Sequence, residues 1–257
     1  MASAADLDRR FGALDRLYGV QRAQRIRAAH VVVVGIGGVG SWSVEALARS
    51  GVGRLTLIDM DHVAESNINR QVHALQTTLG QAKVQAMQER IALINPQCVV
   101  TCIEEFVEPG NWQYLLPPQV DAVIDACDQV KGKTAMAAWA RTSDVVFITV
   151  GAAGGKRLAH LVEIEDLSRC THDPLLAQVR NRLRKEHAAP REGKKMGIAC
   201  VFSPEAVSPV DPSCAIDSDG SLNCHGYGSI VSVTATFGQC AAGWVLNEIA
   251  RRSLRGD

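Results

Sequence analysis

Asp59, Asp61, Asn67, Asn69, Arg70 and Gln71 fall within one short polar stretch, and Lys83 follows. An arginine fork and a lysine point charge stabilise negative charge that builds on phosphoryl oxygens during displacement at phosphorus. Upstream runs Val31-Val-Val-Val-Gly35-Ile-Gly37-Gly38-Val-Gly40. Four β-branched residues leading into glycines mark a buried parallel strand whose turn has no Cβ in the way. Backbone N–H groups and a helix N-terminus can then face a phosphate or ribose. A second strand, Arg54-Leu-Thr-Leu-Ile-Asp59, presents a carboxylate where a ribose would lie, 19 residues after Gly40. A third, Val120-Asp-Ala-Val-Ile-Asp125, runs into Ala126-Cys127-Asp128-Gln129. Asp128 stands at the end of the strand where open α/β sheets bind ligands, placed to hold Mg²⁺ together with substrate phosphate oxygens. Asp125 reads either as part of that site or as a cap or turn residue.

Gly35-x-Gly37-x-x-Gly40 taken alone also satisfies the dehydrogenase fingerprint and fits NAD, FAD or S-adenosylmethionine folds. Taken singly, Arg70 reads equally as a surface ion-pair residue and Lys83 as a solvated helix position. Together with the glycines they favour a nucleoside triphosphate, because a nicotinamide enzyme needs nothing cationic after the ribose carboxylate.

Positioning these residues requires alternating strands and helices. The pattern predicts an N-terminal helical arm over 1–30 and a Rossmann-like ATP-binding core over 31–155. A C-terminal α+β extension over 156–257 packs with them as one globular unit. In the core, strands at 31–34, 54–59, 98–103, 120–125 and 145–150 alternate with helices at 40–50, 78–94, 110–116 and 130–142. Alternation of this kind gives an α/β fold, a mainly parallel sheet with right-handed crossovers and helices on both faces. In the helix over 78–94, apolar residues at Leu79, Ala82, Ala86, Met87, Ile91 and Ile94 form a 3.6-residue stripe that stops at Asn95-Pro96. Beyond Gly151 a strand-like run over 157–164, a helix over 173–187, loops and a closing helix over 230–251 follow.

The closing segment from Gly226 to Asn247 carries no charge and is long enough to cross a bilayer. Its interspersed Ser, Thr and Gln, with apolar residues at helical spacing, read as a buried amphipathic helix instead, so stable membrane insertion is not expected. Met-Ala-Ser-Ala-Ala-Asp at the start has neither a basic region nor an apolar run, which predicts a cytoplasmic protein with reduced thiols. The 257 residues carry zero formal net charge, which excludes a generally basic nucleic-acid binder. Charge is nevertheless uneven: Arg180, Arg182, Arg184, Lys185, Arg191, Lys194 and Lys195 face only Glu186 and Glu192. That run is either a solvated helix face or a set of phosphate contacts for RNA. Eight cysteines form no C-x-x-C pair. Cys224 lies in a loop rich in Gly, Ser and Asp with His225 beside it, a setting for a nucleophilic thiolate; the alternative is a surface thiol without a role.

The combination of Gly35-Ile-Gly-Gly-Val-Gly40, Asp59-x-Asp61, Ser66-Asn-x-Asn-Arg70-Gln71, Lys83 and Asp125-x-x-Asp128 resembles the ubiquitin-activating-enzyme-like superfamily, whose members adenylate carboxylates. Within it the chain resembles, over nearly its whole length, the tRNA threonylcarbamoyladenosine dehydratases. Segments outside the shared adenylation core carry that likeness: Arg16-Leu-Tyr-Gly19, Gly151-Ala-Ala-Gly-Gly155, Asp173-Pro-Leu175, Cys200-Val-Phe-Ser203 and Val233-Thr-Ala-Thr-Phe-Gly238. The resemblance implies ATP and Mg²⁺ as cofactors and tRNA carrying threonylcarbamoyladenosine as substrate. The implied reaction is dehydration to a cyclised product through an acyl-adenylate.

Under the resemblance Gly35, Gly37, Gly38 and Gly40 give the nucleotide close approach, and Asp59 binds the ribose. Arg70 and Lys83 neutralise phosphates, Asp128 holds Mg²⁺, Asn67, Asn69 and Gln71 order the loop or touch phosphate, and Asp61 counts among the cofactor-binding residues. Cys224 stands where superfamily relatives carry an acyl-accepting thiol. The resemblance also implies a homodimer in which Arg10 or Arg16 of the arm reaches the partner's ATP. It leaves room for a monovalent cation and for a sulfur-relay or acceptor protein. Sulfur-carrier adenylating relatives carry two C-x-x-C pairs, so their structural zinc is not expected here. Activation of a small ubiquitin-like or sulfur-carrier protein's C-terminus remains the alternative function.

Overall fold

A computed structural model of the chain describes residues 5–191, 193–209 and 227–252. Its centre is a seven-stranded sheet. In chain order the strands are β1 (His30–Val34), β2 (Arg54–Ile58), β3 (Val99–Ile103), β4 (Ala122–Asp125), β5 (Val146–Val150), β6 (Glu163–Asp166) and β7 (Ala199–Phe202). Their spatial order is β3-β2-β1-β4-β5-β7-β6, with every pairing parallel except that of β6 with β7 at the edge. The sheet reverses direction of growth at β1 and β4, and the crevice between them at the strands' carboxyl ends is where such sheets take ligands. Ile58, Val34, Asp125 and Thr149 lie side by side in register at that edge. The residues that follow each of them therefore meet in one place.

Alternation along β1 fixes both layers. Val31 and Val33 face one core and Val32 and Val34 the other, all of them buried. On the first face lie α2 (Val20–Ala28), α3 (Gly40–Arg49), α4 (Lys83–Ile94) and α8 (Val231–Arg251). On the second lie α5 (Trp112–Leu115), α6 (Val130–Ala140) and α7 (Pro174–Glu186). The arm is a helical hairpin of α1 (Leu7–Tyr18) and α2, joined at Gly19 and clasped by an Arg27–Asp15 ion pair at 2.8 Å. Arg10 donates to the carbonyls of Leu93 and Ile94, closing the C-terminus of α4.

The charge-free closing segment is a packed helix. Val233, Phe237, Ala241, Ala242, Val245 and Ile249 of α8 are buried against the sheet and α3. A methyl at Gly238 would stand 2.4 Å from the Val39 carbonyl oxygen and 2.8 Å from Trp42 Cβ, so the glycine permits the close crossing of α8 over α3. Ser43 Oγ completes the crossing by donating to the Gly238 carbonyl at 3.0 Å. Among the described residues no helix is long and apolar enough to cross a membrane.

Three boundaries differ from the sequence reading. The helix placed over 78–94 begins at Lys83: Gly80 takes φ of 81°, and its N–H and that of Val63 bond across the loop, so the chain turns before it coils. The strand placed over 157–164 is a turn at Ala159–Leu161 followed by β6, because the Glu205 carboxylate accepts from the N–H groups of Arg157 and Leu158. Within the stretch read as loops, Ala199–Phe202 is a strand inserted between β5 and β6.

Candidate active site

The cleft lies over the carboxyl ends of β1, β2, β4 and β5, and the motif residues converge on it from separate segments. Gly35, Gly37, Gly38, Asp59, Asp61, Asn67, Arg70, Gln71, Lys83 and Asp128 all line it. Gly40 and Asn69 do not. Gly40 opens α3 beneath the turn, and a Cβ there would stand 1.7 Å from the Gly35 carbonyl oxygen, so it closes the turn rather than facing a ligand. Asn69 bridges two segments, donating from Nδ2 to the Ser229 carbonyl and accepting from Arg70 at Oδ1.

Asp59 ties the turn to the second strand. Its Oδ2 accepts from the Ile36 N–H at 2.6 Å and its Oδ1 from the Asp61 N–H at 2.8 Å. Burial raises its pKa against the opposing pull of Lys83. Arg70 Nη1 is held by the Ser66 carbonyl at 2.7 Å and by Asn69 Oδ1 at 2.9 Å. Its stem runs along Gly38, where a Cβ would stand 3.3 Å from Arg70 Cγ and Cδ. Nε and Nη2 of Arg70 make no hydrogen bond among the described residues and remain able to donate. Gln71 is buried, yet its Oε1 has no partner among the described residues. Asn67 is an internal brace, its Oδ1 accepting from the Ala64 N–H.

Lys83 stands at the first position of α4, with its ammonium 2.7 Å from Asp61 Oδ2 and its side chain 8% exposed. Asp61 thus serves as the lysine's counter-ion, whereas the sequence reading grouped it with the nucleotide contacts. Asp128 is exposed at the cleft and has no hydrogen-bond partner or ion pair among the described residues. Asp125 does something else: it is fully buried and pairs with the equally buried Lys133 at 3.0 Å. Cys127 Sγ donates to Asp125 Oδ1, and burial together with the neighbouring carboxylate pushes its pKa well up, so it is a poor thiolate.

Sequence reasoning missed part of the lining. Glu105, Phe106 and Val107 after β3 form one wall, Gly151–Ala153 after β5 with Leu175 at the start of α7 form the other, and Thr234 of α8 contributes from the first face. An apolar pair following β3, next to Asp59 at the end of β2, was the available signal for Phe106 and Val107. Asp173 shapes the opposite wall: its carboxylate accepts from the Leu176 and Ala152 N–H groups, each at 2.9 Å. Lys156 is buried behind it, with Nζ donating to the carbonyls of His172, Ser203 and Glu205.

Cys224 lies outside the described residues. The described chain on either side of that segment is pinned at one point, Ser208 N–H bonding the Gly155 carbonyl and Gly155 N–H the Gly228 carbonyl. The basic run divides. Arg180 donates inward to the carbonyls of Leu167 and Cys170, and Arg184 to that of Pro190. Lys185, Arg191, Lys194 and Lys195 are exposed and Arg182 is half-buried.

The ThiF family's sequence profile matches residues 9–254. The chain is 42% identical over 254 residues to a tRNA threonylcarbamoyladenosine dehydratase of Haemophilus influenzae, covering 98% of this chain and 97% of the relative. It superposes with TM-score 0.88 and 40% identity, over 100% of both chains, on the solved structure of the E. coli tRNA N6-threonylcarbamoyladenosine dehydratase in complex with ATP. A molybdopterin-synthase adenylyltransferase of Salmonella typhimurium is 33% identical over 138 residues, 54% of this chain and 55% of that one. The longer likeness includes the segments beyond the adenylation core. This chain belongs to the ThiF family, alongside its tRNA threonylcarbamoyladenosine dehydratases.

Proposed function

We infer that this protein is an ATP-dependent tRNA threonylcarbamoyladenosine dehydratase. The observation that carries the reading is the convergence of a glycine turn, a ribose carboxylate, two cations and an unpaired carboxylate in one cleft, in a chain like the dehydratases along almost all of its length.

In the proposed reaction a carboxylate oxygen of the threonylcarbamoyl group attacks the α-phosphorus of ATP, and the bond to pyrophosphate breaks. A nucleophilic atom of the carbamoyl unit then attacks the activated carbonyl and closes a ring. AMP leaves with the oxygen lost from the substrate, and the proton lost from the nucleophile balances the water removed. Intramolecular attack has a high effective molarity, so the protein's work is to position the groups and to stabilise charge.

Gly37 and Gly38 leave room for the triphosphate. Asp59 accepts from ribose hydroxyls, and Phe106 and Val107 supply the apolar wall beside that carboxylate for the base. The remaining donors of Arg70, the Lys83 ammonium and the Nε2 amide group of Gln71 engage the phosphates. Among the described residues four carboxylates line the cleft, Asp59, Asp61, Glu105 and Asp128, against the two cations Arg70 and Lys83. A triphosphate entering there needs further positive charge. Asp128 and Glu105 are both exposed at the cleft with no hydrogen bond or ion pair among the described residues. Asp128, just past the end of β4, fits an Mg²⁺ ion that takes one or two carboxylates plus phosphate oxygens and water. When bound, that ion neutralises phosphate charge and favours pyrophosphate as a leaving group.

We further propose a homodimer. Leu17 and Val20 of the arm and Ile68, Ile230 and Val231 near the cleft are exposed apolar residues that a second copy would cover. Lys185, Arg191, Lys194 and Lys195, whose side chains make no hydrogen bond or ion pair among the described residues, are the proposed tRNA phosphate contacts, with Arg182 at their edge; Arg180 and Arg184 brace loops instead. Activation of a carrier protein uses the same nucleotide residues, but the relative with that activity matches little more than half of the chain.

The test is stoichiometry. With ATP, Mg²⁺ and tRNA bearing threonylcarbamoyladenosine, AMP and pyrophosphate should accumulate one for each nucleoside dehydrated, and unmodified tRNA should give neither. Equal AMP release with unmodified tRNA would overturn the reading.

A further inference from the structure

We propose that Lys133 is a positioning residue for the reaction, fixing the loop that carries Asp128 against the glycine turn through a fully buried pair with Asp125. Both side chains of the pair have no exposed surface. The three ammonium hydrogens have three acceptors: Asp125 Oδ1 at 3.0 Å, the Cys127 carbonyl at 2.9 Å and the Asp125 carbonyl at 3.3 Å. Asp125 is held in turn by Thr149 Oγ1, which donates to Oδ2 at 2.6 Å from the neighbouring strand, and by the Cys127 N–H and thiol. One lysine on the second turn of α6 thus clamps two of the three carbonyls, those of Asp125 and Cys127, in the peptide run that leads from β4 to Asp128.

The same run forms the back wall of the glycine turn. A Cβ at Gly35 would stand 2.7 Å from the Cys127 nitrogen and 2.8 Å from the Ala126 carbonyl, so the two loops touch backbone to backbone. The spacing between the phosphate-approach turn and the Asp128 carboxylate is therefore set by the loop over 125–128, and the conformation of that loop is set by Lys133. Stability alone does not account for the pair. Apolar residues of similar volume often serve a fold as well as a buried ion pair does. What they lack is the ability to hold two carbonyls and a carboxylate at fixed positions.

The proposal rests on the reading of Asp128 as the Mg²⁺-linked carboxylate, and the experiment separates the two. ATP affinity is measured by calorimetry with and without Mg²⁺ for the wild-type protein, Asp128→Ala, the charge-neutral double variant Asp125→Asn/Lys133→Met, and the combination of all three substitutions. The double variant removes both buried charges together, and thermal unfolding checks that it is folded. In the wild type Mg²⁺ tightens ATP binding, and Asp128→Ala removes that gain. The double variant is expected to lose on the order of tenfold in the Mg²⁺-dependent part, as residues behind a metal ligand commonly do. Its Mg²⁺-free affinity should stay within about twofold, and adding the double substitution to Asp128→Ala should cost nothing more.

A double variant with the wild-type gain from Mg²⁺, or one weakened equally with and without it, would overturn the proposal. If Asp128→Ala itself keeps the gain, the reading of Asp128 fails and the proposal falls with it.

Discussion

Each glycine of the turn meets a different neighbour, and a methyl added at each position should therefore act differently. At Gly40 the new Cβ would stand 1.7 Å from the Gly35 carbonyl oxygen and 2.9 Å from its carbon. Backbone cannot move aside as a side chain can, so the loss should exceed the usual overpacking range and reach about 3 kcal/mol or more. The thermal midpoint would then fall by roughly 6–12 °C for a chain of this size. At Gly37 the nearest atom is Gln71 Nε2 at 3.9 Å, an ordinary contact, so Gly37→Ala should leave stability within about 0.5 kcal/mol of wild type. Yet Gly37 lines the cleft, and its new methyl would occupy space assigned to the nucleotide. A clash worth about 1–3 kcal/mol corresponds to a loss in ATP affinity of roughly 5- to 150-fold. Thermal unfolding and ATP calorimetry on the two variants separate the roles. Gly37→Ala with wild-type melting and wild-type ATP affinity would refute the placement of the phosphates against this turn.

Other perturbations follow the same logic. Lys83→Met leaves Asp61 as a largely exposed carboxylate, so stability should hold while pyrophosphate release slows on the order of 100-fold; a rate near wild type would remove Lys83 from the chemistry. His73 is buried with neither ring nitrogen partnered among the described residues, and burial, with Lys83 and Arg90 nearby, lowers its pKa from 6.5 to about 4. The unfolded chain then binds a proton between those values that the folded chain refuses. Stability should fall as the pH drops through that window, by roughly 3 kcal/mol in all. Urea unfolding at pH 7 and pH 5 should show a smaller difference for His73→Leu than for wild type, and an unchanged difference would assign the slope to other groups. Gly238→Ala should destabilise by about 1–3 kcal/mol through the α3–α8 crossing; an unchanged melting midpoint would mean that the crossing yields without cost.

Much of the nucleotide half of the cleft was legible because its residues follow directly from strand ends. A β-branched run into glycines, then Asp59 one strand later, encodes the turn and its carboxylate locally, and the polar stretch to Lys83 continues the same crossover. Groups that act through distant partners were not legible. Lys133 looks like any helix lysine until the register places it under Asp125, and Asp61 looks like a ligand contact until the start of α4 brings Lys83 beside it. Phe106, Leu175 and Thr234 reach the cleft from three separate segments, and no spacing along the chain links them. Strand β7 has only four residues and is covered on both sides, so neither alternation nor turn signals marked it. In the basic run, charge count could not distinguish Arg180 and Arg184, which bond carbonyls of their own chain, from the lysines that remain open.

Central to the account is that the cleft activates a carboxylate on tRNA. The most direct measurement is mass spectrometry of the nucleosides from tRNA incubated with the protein, ATP and Mg²⁺. The account predicts that threonylcarbamoyladenosine loses one water mass, that all other nucleosides keep theirs, and that Arg70→Ala and Asp128→Ala abolish the change. An unchanged nucleoside, with pyrophosphate exchange appearing only when a small carrier protein's C-terminus is supplied, would contradict it.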